Sequence, residues 1–555
     1  MKRISIFFLF ISIWFCQAQE PKAIKAGVPP LLGEYPKDLN ALHYEVEIGL
    51  GKNANWFEGF VTIRLLAEKD KPQLSLDFTG LYLDDLLING NKIEYRYVNG
   101  IIKANLYTYK KGETVLVDIK YHGIPDDGLI INKNVHGNPT IFVDNWPNRT
   151  RFWLPSIDHP SDKATVNYTI HAPAEWMVIA NGHMINNPIQ SATSAIGPKE
   201  NRLTWNWDVT VPISTYNMVL GAGELNIESL GYAACNKSPA SQREDNCIEV
   251  SLWVYPEDKI KAKESFQRAV KMVDYFTNTI GPFPFEKLAN VQSSTRFGGM
   301  ENASAIFYSE KSIAKGRNIE GTVSHEIAHQ WFGDSVTEAD WNHLWLSEGF
   351  ATYFGALFFE SEDGKSVFQE KMENSRKRII NSNYTNNPIV GLENKDLFKL
   401  LNSNNYPKGG WVLHMLRGYM GDKLFFDGIA KYYDQYKYKT VTTKDFQSVM
   451  EKVKGENLNW FFDQWVFKPG YPIFTYQEKW SSRKRSLLVT ISQTQKNDWP
   501  FFIVPTEICW GEKNCKSIRI DKKKQSFEFK FGSRPQKPGM LDPQGWILKE
   551  ISFKK

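Results

Sequence analysis

The five residues His325-Glu326-Ile327-Ala328-His329 are the part of this sequence that decides its interpretation. On a helix, side chains four positions apart lie on one face, so the two imidazoles can bind the same metal ion. Glu326 follows the first histidine and is placed to reach a water molecule on the metal rather than the metal itself. Asn318 can cap the start of this helix and Gly333 can end it, which predicts a helix of about 14 residues.

A zinc site of this kind needs a third protein ligand and leaves the fourth position open for water. Glu348 is the candidate, because 18 residues separate it from His329 and it lies early in a second apolar stretch that can form an antiparallel helix. The competing interpretation is a chance match on a structural helix. With only 10 histidines in the chain, such a match is expected on the order of one time in a hundred. The sequence therefore predicts one zinc ion per chain, bound by His325, His329 and Glu348.

Three further motifs follow the order expected of a known family. They are Gly298-Gly299-Met300-Glu301-Asn302, Tyr406-Pro407-Lys408-Gly409 and Trp460-Phe461-Phe462-Asp463-Gln464-Trp465. Together with the metal ligands they resemble the gluzincin aminopeptidases, the family of aminopeptidase N and leukotriene hydrolase, over essentially the whole mature chain. This resemblance implies a multidomain α+β fold with an N-terminal all-β domain, a thermolysin-like and mainly helical catalytic domain, and a small C-terminal β-sandwich.

The resemblance also implies roles for individual residues. Zinc lowers the pKa of its water to about 7, so Glu326 can act as the general base and deliver the proton to the leaving amine. Tyr406 resembles the family's catalytic tyrosine, which donates a hydrogen bond to the oxyanion. Glu301 corresponds to the carboxylate that recognises a free α-ammonium group. The resemblance also implies that the backbone of Gly299 and Ala303 runs along the bound peptide and that Met300 lies near the pocket for the first side chain. Gly298 and Asn302 complete the predicted substrate-binding residues.

The sequence departs from the family at three places. A second polar contact to the amine usually comes from the N-terminal domain, but residues 144–149 differ from that pattern, and Asp144 is the candidate substitute. Ser347 stands where many members have asparagine before the zinc glutamate. A large helical C-terminal domain, which several members have, is not expected here.

Four functions are compatible with these motifs to different degrees. A zinc-dependent aminopeptidase that acts on peptides with a free N-terminus explains all of them. A leukotriene-type epoxide hydrolase would have an aspartate eight residues before the tyrosine, where this chain has Phe398. A zinc endopeptidase would leave the cleft open at both ends. A non-enzymatic zinc protein would not need Glu326 and Tyr406.

The composition is that of an ordinary soluble protein of several domains. The chain has 555 residues, 23% of them charged, and a net charge of +5 without long basic runs, so a nucleic-acid partner is not expected. Apolar residues alternate over residues 42–225, recur at helical spacing from Phe266 to about Trp465, and alternate again near the end. The predicted domains are residues 19–235, 236–468 and 469–555.

The N-terminus predicts export. Lys2 and Arg3 precede an apolar run over residues 4–15, which is signal-peptide length and too short to span a membrane, and cleavage is expected after Ala18. The alternative is a lipoprotein acylated at Cys16, although the preceding Phe15 is bulkier than that signal prefers. We therefore expect a periplasmic or secreted protein.

The remaining four cysteines form two close pairs, Cys235 with Cys247 and Cys509 with Cys515. An even number of cysteines in an exported chain favours two disulfides over a metal site with four cysteine ligands.

Overall fold

The computed structural model describes residues 37–52, 57–391 and 396–554. The predicted signal peptide lies outside these residues. The chain forms a β-rich N-terminal part, a mainly helical middle part and two small C-terminal sheets. The predicted multidomain α+β fold is therefore confirmed.

One large sheet and two small ones make up the N-terminal part. A nine-stranded sheet has the order β13-β15-β11-β1-β2-β8-β4-β5, with β14 added beside β15, and smaller sheets have the orders β12-β16-β10-β9 and β3-β7-β6. The strands are β1 (Leu39–Leu50), β2 (Phe57–Ala67), β3 (Gln73–Asp77), β4 (Tyr82–Ile88), β5 (Asn91–Lys92), β6 (Arg96–Val98), β7 (Ile101–Asn105), β8 (Thr114–Gly123), β9 (Leu129–Lys133), β10 (Pro139–Val143), β11 (Lys163–Pro173), β12 (Met177–Ala180), β13 (His183–Met184), β14 (Ile189–Gln190), β15 (Arg202–Ser214) and β16 (Leu220–Gly223).

The period-two pattern explains the core of the large sheet. Val61, Ile63 and Leu65 on β2 are fully buried, while the intervening Thr62 and Arg64 face the other side. This is the alternation predicted from the sequence.

The middle part is built on a five-stranded sheet with the order β17-β18-β19-β21-β20 and a two-stranded one, β22-β23. The strands are β17 (Asn226–Ala233), β18 (Ile248–Val254), β19 (Leu288–Ser293), β20 (Gly299–Met300), β21 (Ala305–Ser309), β22 (Val336–Glu338) and β23 (Lys439–Val441). Because β17 pairs with β18, the change of sheet comes between β16 and β17. The boundary predicted after residue 235 lies in the β17–β18 loop and stays a prediction.

The described residues of the middle part also form ten helices: α1 (Lys259–Phe266), α2 (Ala269–Thr279), α3 (Glu310–Ala314), α4 (Glu320–His329), α5 (Trp345–Asp363), α6 (Lys365–Ile380), α7 (Gly409–Met420), α8 (Asp422–Tyr436), α9 (Thr443–Lys454) and α10 (Asn459–Trp465). None of them combines the length and apolar character that would let it span a membrane.

Helix α4 carries the predicted metal-binding motif but is shorter than expected. It has 10 residues, and Asn318 accepts a hydrogen bond from the Glu320 backbone N–H at its start, at 2.9 Å. The helix ends at His329, four residues before Gly333, and hydrogen-bonded turns connect it to β22. A Cβ atom at Gly355 would lie 3.3 Å from Cα of His325, so α4 and α5 cross with their backbones nearly in contact.

The C-terminal part consists of a four-stranded sheet, β28-β25-β24-β30, and a three-stranded sheet, β27-β26-β29. The strands are β24 (Ile473–Ser481), β25 (Ser486–Gln493), β26 (Val504–Cys509), β27 (Cys515–Ile520), β28 (Lys524–Lys530), β29 (Met540–Leu541) and β30 (Glu550–Lys554).

Both predicted disulfides are present. Cys509–Cys515 joins the ends of β26 and β27, and Cys235–Cys247 closes the loop between β17 and β18.

Candidate active site

Helices α4 and α5 bring three potential metal ligands to one point. Nε2 of His325 lies 3.1 Å from Nε2 of His329 and 3.1 Å from Oε2 of Glu348. The third side of this triangle, from His329 Nε2 to Glu348 Oε2, is 3.2 Å. Four ligands at zinc distances in a tetrahedron lie about 3.3 Å apart, so the three atoms fit a zinc ion with one position left open. The predicted ligands are thus assembled around one point.

Contacts at Nδ1 of His329 orient its ring so that Nε2 points to the metal-binding triangle. Its Nδ1 lies 3.0 Å from the carbonyl oxygen of Phe332 and 3.0 Å from Oγ of Ser347. A carbonyl oxygen only accepts hydrogen bonds, so Nδ1 carries the proton and Nε2 has its lone pair free. Ser347, where the sequence departs from the family, therefore contacts a metal ligand directly.

The charge state of this cluster depends on burial and on its neighbours. Burial acts to raise the pKa of Glu348, but His329 and His325 beside it hold that pKa well below its usual range. Burial raises the pKa of the Glu326 carboxyl well above its usual value, and a divalent cation next to it would act in the opposite direction.

Glu326 lies between the metal ligands and the edge strand β20. It is 5% exposed, and its carboxylate, that of Glu301 and a ring nitrogen of His329 all lie within 4.8 Å of one another. A Cβ atom at Gly299 would lie 2.3 Å from Oε1 of Glu326, so the glycine makes this close approach possible. The carboxylate thus faces the open side of the metal-binding triangle.

Tyr406 approaches the triangle from a π-helical turn, Asn404–Lys408, that leads into α7. Its hydroxyl donates a 2.6 Å hydrogen bond to Oε1 of Glu348, and its ring stacks on that of His325 at a centroid distance of 6.0 Å. A Cβ atom at Gly349 would lie 3.2 Å from the carbonyl oxygen of Asn405, so this turn rests directly on α5. The tyrosine hydroxyl is therefore one hydrogen bond from a metal ligand.

Glu301 is the other carboxylate at the open side. It is 6% exposed, and burial raises its pKa to about 7. Its backbone is fixed by Gln330, whose Nε2 donates to the Glu301 carbonyl at 2.7 Å and whose Oε1 accepts from the Ser304 N–H at 2.8 Å. Sequence reasoning missed Gln330, although its position directly after the second histidine was a usable signal.

A cavity of about 520 Å³ opens over these groups. Gly298, Gly299, Met300 and Glu301 line one side of it, as do the three metal ligands, Glu326 and Tyr406. Trp146 and Phe297 also line it and were not identified from the sequence. Their aromatic side chains have no spacing that distinguishes them from core residues.

Three predicted substrate contacts lie outside this lining. Asn302 is fully buried, and the carbonyl of Ala303 accepts a 2.6 Å hydrogen bond from Asn181 of the N-terminal part. The Asp144 carboxylate is also fully buried and lies 3.1 Å from Arg149 and 3.7 Å from Arg296. With Asp144 engaged by two guanidinium groups, its contact to a substrate amine stays a prediction without support from this geometry.

Comparison with known proteins agrees with this geometry. Residues 264–465 match the peptidase family M1 domain, and residues 40–217 match the peptidase M1 N-terminal domain. Over 513 residues the chain is 25% identical to "Probable aminopeptidase 1" of Sulfurisphaera tokodaii, which covers 87% of this chain and 60% of the relative. It is 24% identical over 457 residues to "Leucyl aminopeptidase" of Saccharolobus solfataricus, covering 78% of this chain and 54% of the relative.

Solved structures share the fold. An M1 zinc metallopeptidase from Deinococcus radiodurans superposes with a TM-score of 0.65 at 23% identity, over 79% of this chain and 95% of that one. A mutant of that protein, solved with a Tyr-Ser-Ala substrate, matches with the same TM-score. The chain spans between 36% and 60% of the length of the curated relatives it matches. Two family domains in the expected order, together with the shared fold, establish that this chain belongs to peptidase family M1.

Proposed function

We propose that this protein is a zinc-dependent aminopeptidase that hydrolyses the N-terminal residue from peptides. The observation that carries the proposal is the meeting of two separate carboxylates, Glu301 and Glu326, within 4.8 Å of each other and of His329 at the metal-binding triangle. One carboxylate suffices for a general base. The second explains how the site would select a free amine.

One zinc ion per chain is part of the proposal. His325, His329 and Glu348 would hold it, and bound zinc would supply Lewis-acid chemistry that polarises a carbonyl group and acidifies water. The fit of the ligand triangle to tetrahedral spacing and the protonated Nδ1 of His329 support this assignment.

Three side chains of the protein would perform the remaining steps, which are proton transfer, stabilisation of the oxyanion and binding of the substrate's amine. Glu326 would accept a proton from the attacking water and pass it to the leaving amine. Tyr406, whose hydroxyl now donates to Glu348, would donate to the oxyanion that forms on the substrate. Glu301 would accept hydrogen bonds from the α-ammonium group and so fix the scissile bond one residue away. Gly299 would leave room for the base and for an extended peptide beside β20.

The alternatives fit the site less well. An endopeptidase would have to accept a continuing chain where the buried Glu301 carboxylate stands, and that carboxylate would then be left without a partner. For a leukotriene-type epoxide hydrolase, the position of the family's aspartate is occupied by Phe398, whose ring packs against Trp146 at a centroid distance of 5.8 Å.

The test compares one tripeptide with a free N-terminus and the same tripeptide acetylated, together with aminoacyl-arylamides with and without a chelator. We expect hydrolysis of the free peptide and the arylamides, loss of activity with the chelator, and little cleavage of the acetylated peptide. Glu301→Ala should lose most activity on the free peptide while keeping its zinc. Equal cleavage of the two peptides, or cleavage at internal bonds, would reject the aminopeptidase assignment.

We further propose that the protein is exported. The two disulfides support this, because such bonds persist mainly in oxidising compartments. Fractionation of the producing cells and peptide mapping without reductant test it: we expect both disulfides in periplasmic or secreted material. Four free thiols in cytoplasmic material would contradict the proposal.

A further inference from the structure

Helix α6 contributes a wall to the active-site cavity, separate from α4 and α5, which carry the metal-binding groups. Four of its residues line the cavity: Lys371, Asn374, Ser375 and Arg378. Their spacing of three, four and seven positions puts them on one face of the helix. This face is entirely polar, and two of its four side chains are cationic.

Charge is distributed unevenly in the cavity. Among the described residues, the acidic side chains of the lining are the three next to the metal-binding histidines, Glu301, Glu326 and Glu348, whereas its basic chains other than histidine are Lys371 and Arg378 on α6. A short peptide has the same polarity, with an ammonium at one end and a carboxylate at the other. The cavity and such a peptide are therefore electrostatically complementary.

In the described part of the chain, the two α6 cations that face the cavity have no ion pair, whereas Arg376 and Lys377 on the same helix do. Arg376 and Lys377 both pair with Glu373, at 2.6 Å and 3.9 Å. Within residues 37–52, 57–391 and 396–554, neither Lys371 nor Arg378 has a carboxylate oxygen within 4.0 Å. Two basic groups at the cavity are thus available to an anionic ligand.

Glu320 and Asp363 lie near Lys371 but are bound by Arg268. Arg268 makes hydrogen bonds to both oxygens of Glu320 and to Asp363. The Lys371 ammonium instead lies 3.8 Å from the ring centroid of Phe359, which also lines the cavity. Partly buried above an aromatic ring, this ammonium would gain more from a carboxylate than one in open solvent would.

We propose, on the basis of the aminopeptidase activity proposed above, that this face of α6 selects peptides with a carboxylate downstream of the scissile bond. The carboxylate could belong to the peptide's C-terminus or to an aspartate or glutamate side chain. Lys371 and Arg378 are seven residues apart, about 10 Å along the helix, which is the length of about three residues of extended peptide. The two cations can therefore contact carboxylates at different positions along an extended peptide.

The experiment uses matched peptides that begin with a residue accepted in the arylamide assay. One pair is a tripeptide with a free C-terminus and the same tripeptide amidated. The second pair is an amidated tripeptide with glutamate and the same peptide with glutamine at the second position. In at least one pair, we expect kcat/KM to be about ten-fold higher for the member with the additional carboxylate. A hydrogen bond between charged groups stabilises a complex enough to account for such a difference. The responding pair identifies the source of the carboxylate.

Variants test whether α6 causes the preference. The double variant Lys371→Gln/Arg378→Gln should bring the ratio close to one, mainly by raising KM for the peptide with the additional carboxylate. It should leave hydrolysis of the arylamide, which has no carboxylate, within about two-fold of wild type. Lys377→Gln is the matched control, because it removes a charge from the same helix on a face outside the cavity. It should keep the full preference.

A binding measurement separates this proposal from the proposed function. In the Glu326→Gln background, calorimetry should give a Kd about ten-fold lower for the charged peptide, and the α6 double variant should abolish the difference. Equal affinities for both members of both pairs, or a preference that survives the double variant, would overturn the inference. Charge-dependent binding without any hydrolysis by the wild type would support the inference and reject the aminopeptidase assignment instead.

Discussion

Gly299 packs so closely against Glu326 that a Cβ atom at the glycine would lie 2.3 Å from Oε1 and 2.5 Å from Cδ of the glutamate. The edge strand and the carboxylate can approach each other only because this residue has no side chain. The atoms in contact belong to the end of a flexible side chain, which can move aside, rather than to the backbone.

We therefore expect Gly299→Ala to fold normally and to bind zinc but to displace the Glu326 carboxylate. A misplaced base should lower kcat by about a hundred-fold or more, with a smaller effect on KM. Steady-state kinetics, metal analysis and thermal melting measure the three properties. Gly532→Ala, a position where a Cβ atom meets nothing within 4 Å, is the control for adding a methyl group. Unchanged kcat in Gly299→Ala would show that the contact does not position the base.

Glu326→Gln should keep the shape of the site and its metal while losing the ability to accept a proton. We expect kcat to fall by about a hundred- to ten-thousand-fold. Metal analysis of the purified variant should still give one zinc per chain. Near-normal turnover with zinc bound would exclude Glu326 as the general base.

Ser347→Ala should weaken zinc binding without removing a ligand. The variant deletes the 3.0 Å contact between Oγ and Nδ1 of His329 but leaves the Phe332 carbonyl to hold the ring. Since such outer contacts tune metal affinity, we expect the Kd for zinc to rise by about ten-fold.

Competition with a chromogenic chelator measures that affinity. Ser324→Ala is the matched control, because its hydroxyl donates to the Gly355 carbonyl at 3.1 Å and does not contact a ligand ring. An equal loss of affinity in both variants would indicate a general effect on the helix rather than a specific one on His329.

His414 should make the folded protein sensitive to acid. It lies 5% exposed on α7 against Trp546, and burial lowers its pKa from 6.5 to about 3. Between these two values the unfolded chain binds a proton that the native chain does not. The free energy of unfolding should therefore fall as the pH is lowered from 6.5 toward 3, by up to about 1.4 kcal/mol per pH unit from this residue.

His414→Gln removes this titration and can still donate to the Gly545 carbonyl, which His414 Nε2 contacts at 3.3 Å. Urea unfolding of both proteins at pH 6.5, 5.5 and 4.5 measures the effect. We expect the variant's stability to decline less steeply with acidification. Parallel pH profiles would show that His414 does not titrate as its burial indicates.

From the sequence alone we could predict the three side chains that meet at the metal-binding triangle and the two disulfide pairs, because both predictions depend on short spacings. Two histidines four residues apart on a helix necessarily share a face, and α4 presents them so. Glu348, with 18 residues between it and His329, lies in the first turn of the next long helix, where the sequence predicted it. The alternation in β2 likewise predicted which side chains are buried, since the pleat of a strand has a fixed period.

Only the tertiary structure decided what surrounds those ligands. Asp144 pairs with Arg296 across 152 positions of sequence, and this contact removes it from the cavity. Lys371 and Arg378 form a cavity wall because α6 folds back on α5, although their spacing alone would describe any amphipathic helix. Such contacts depend on how distant elements pack, and packing leaves no periodic signal in a single sequence because many side chains can meet the same steric requirement.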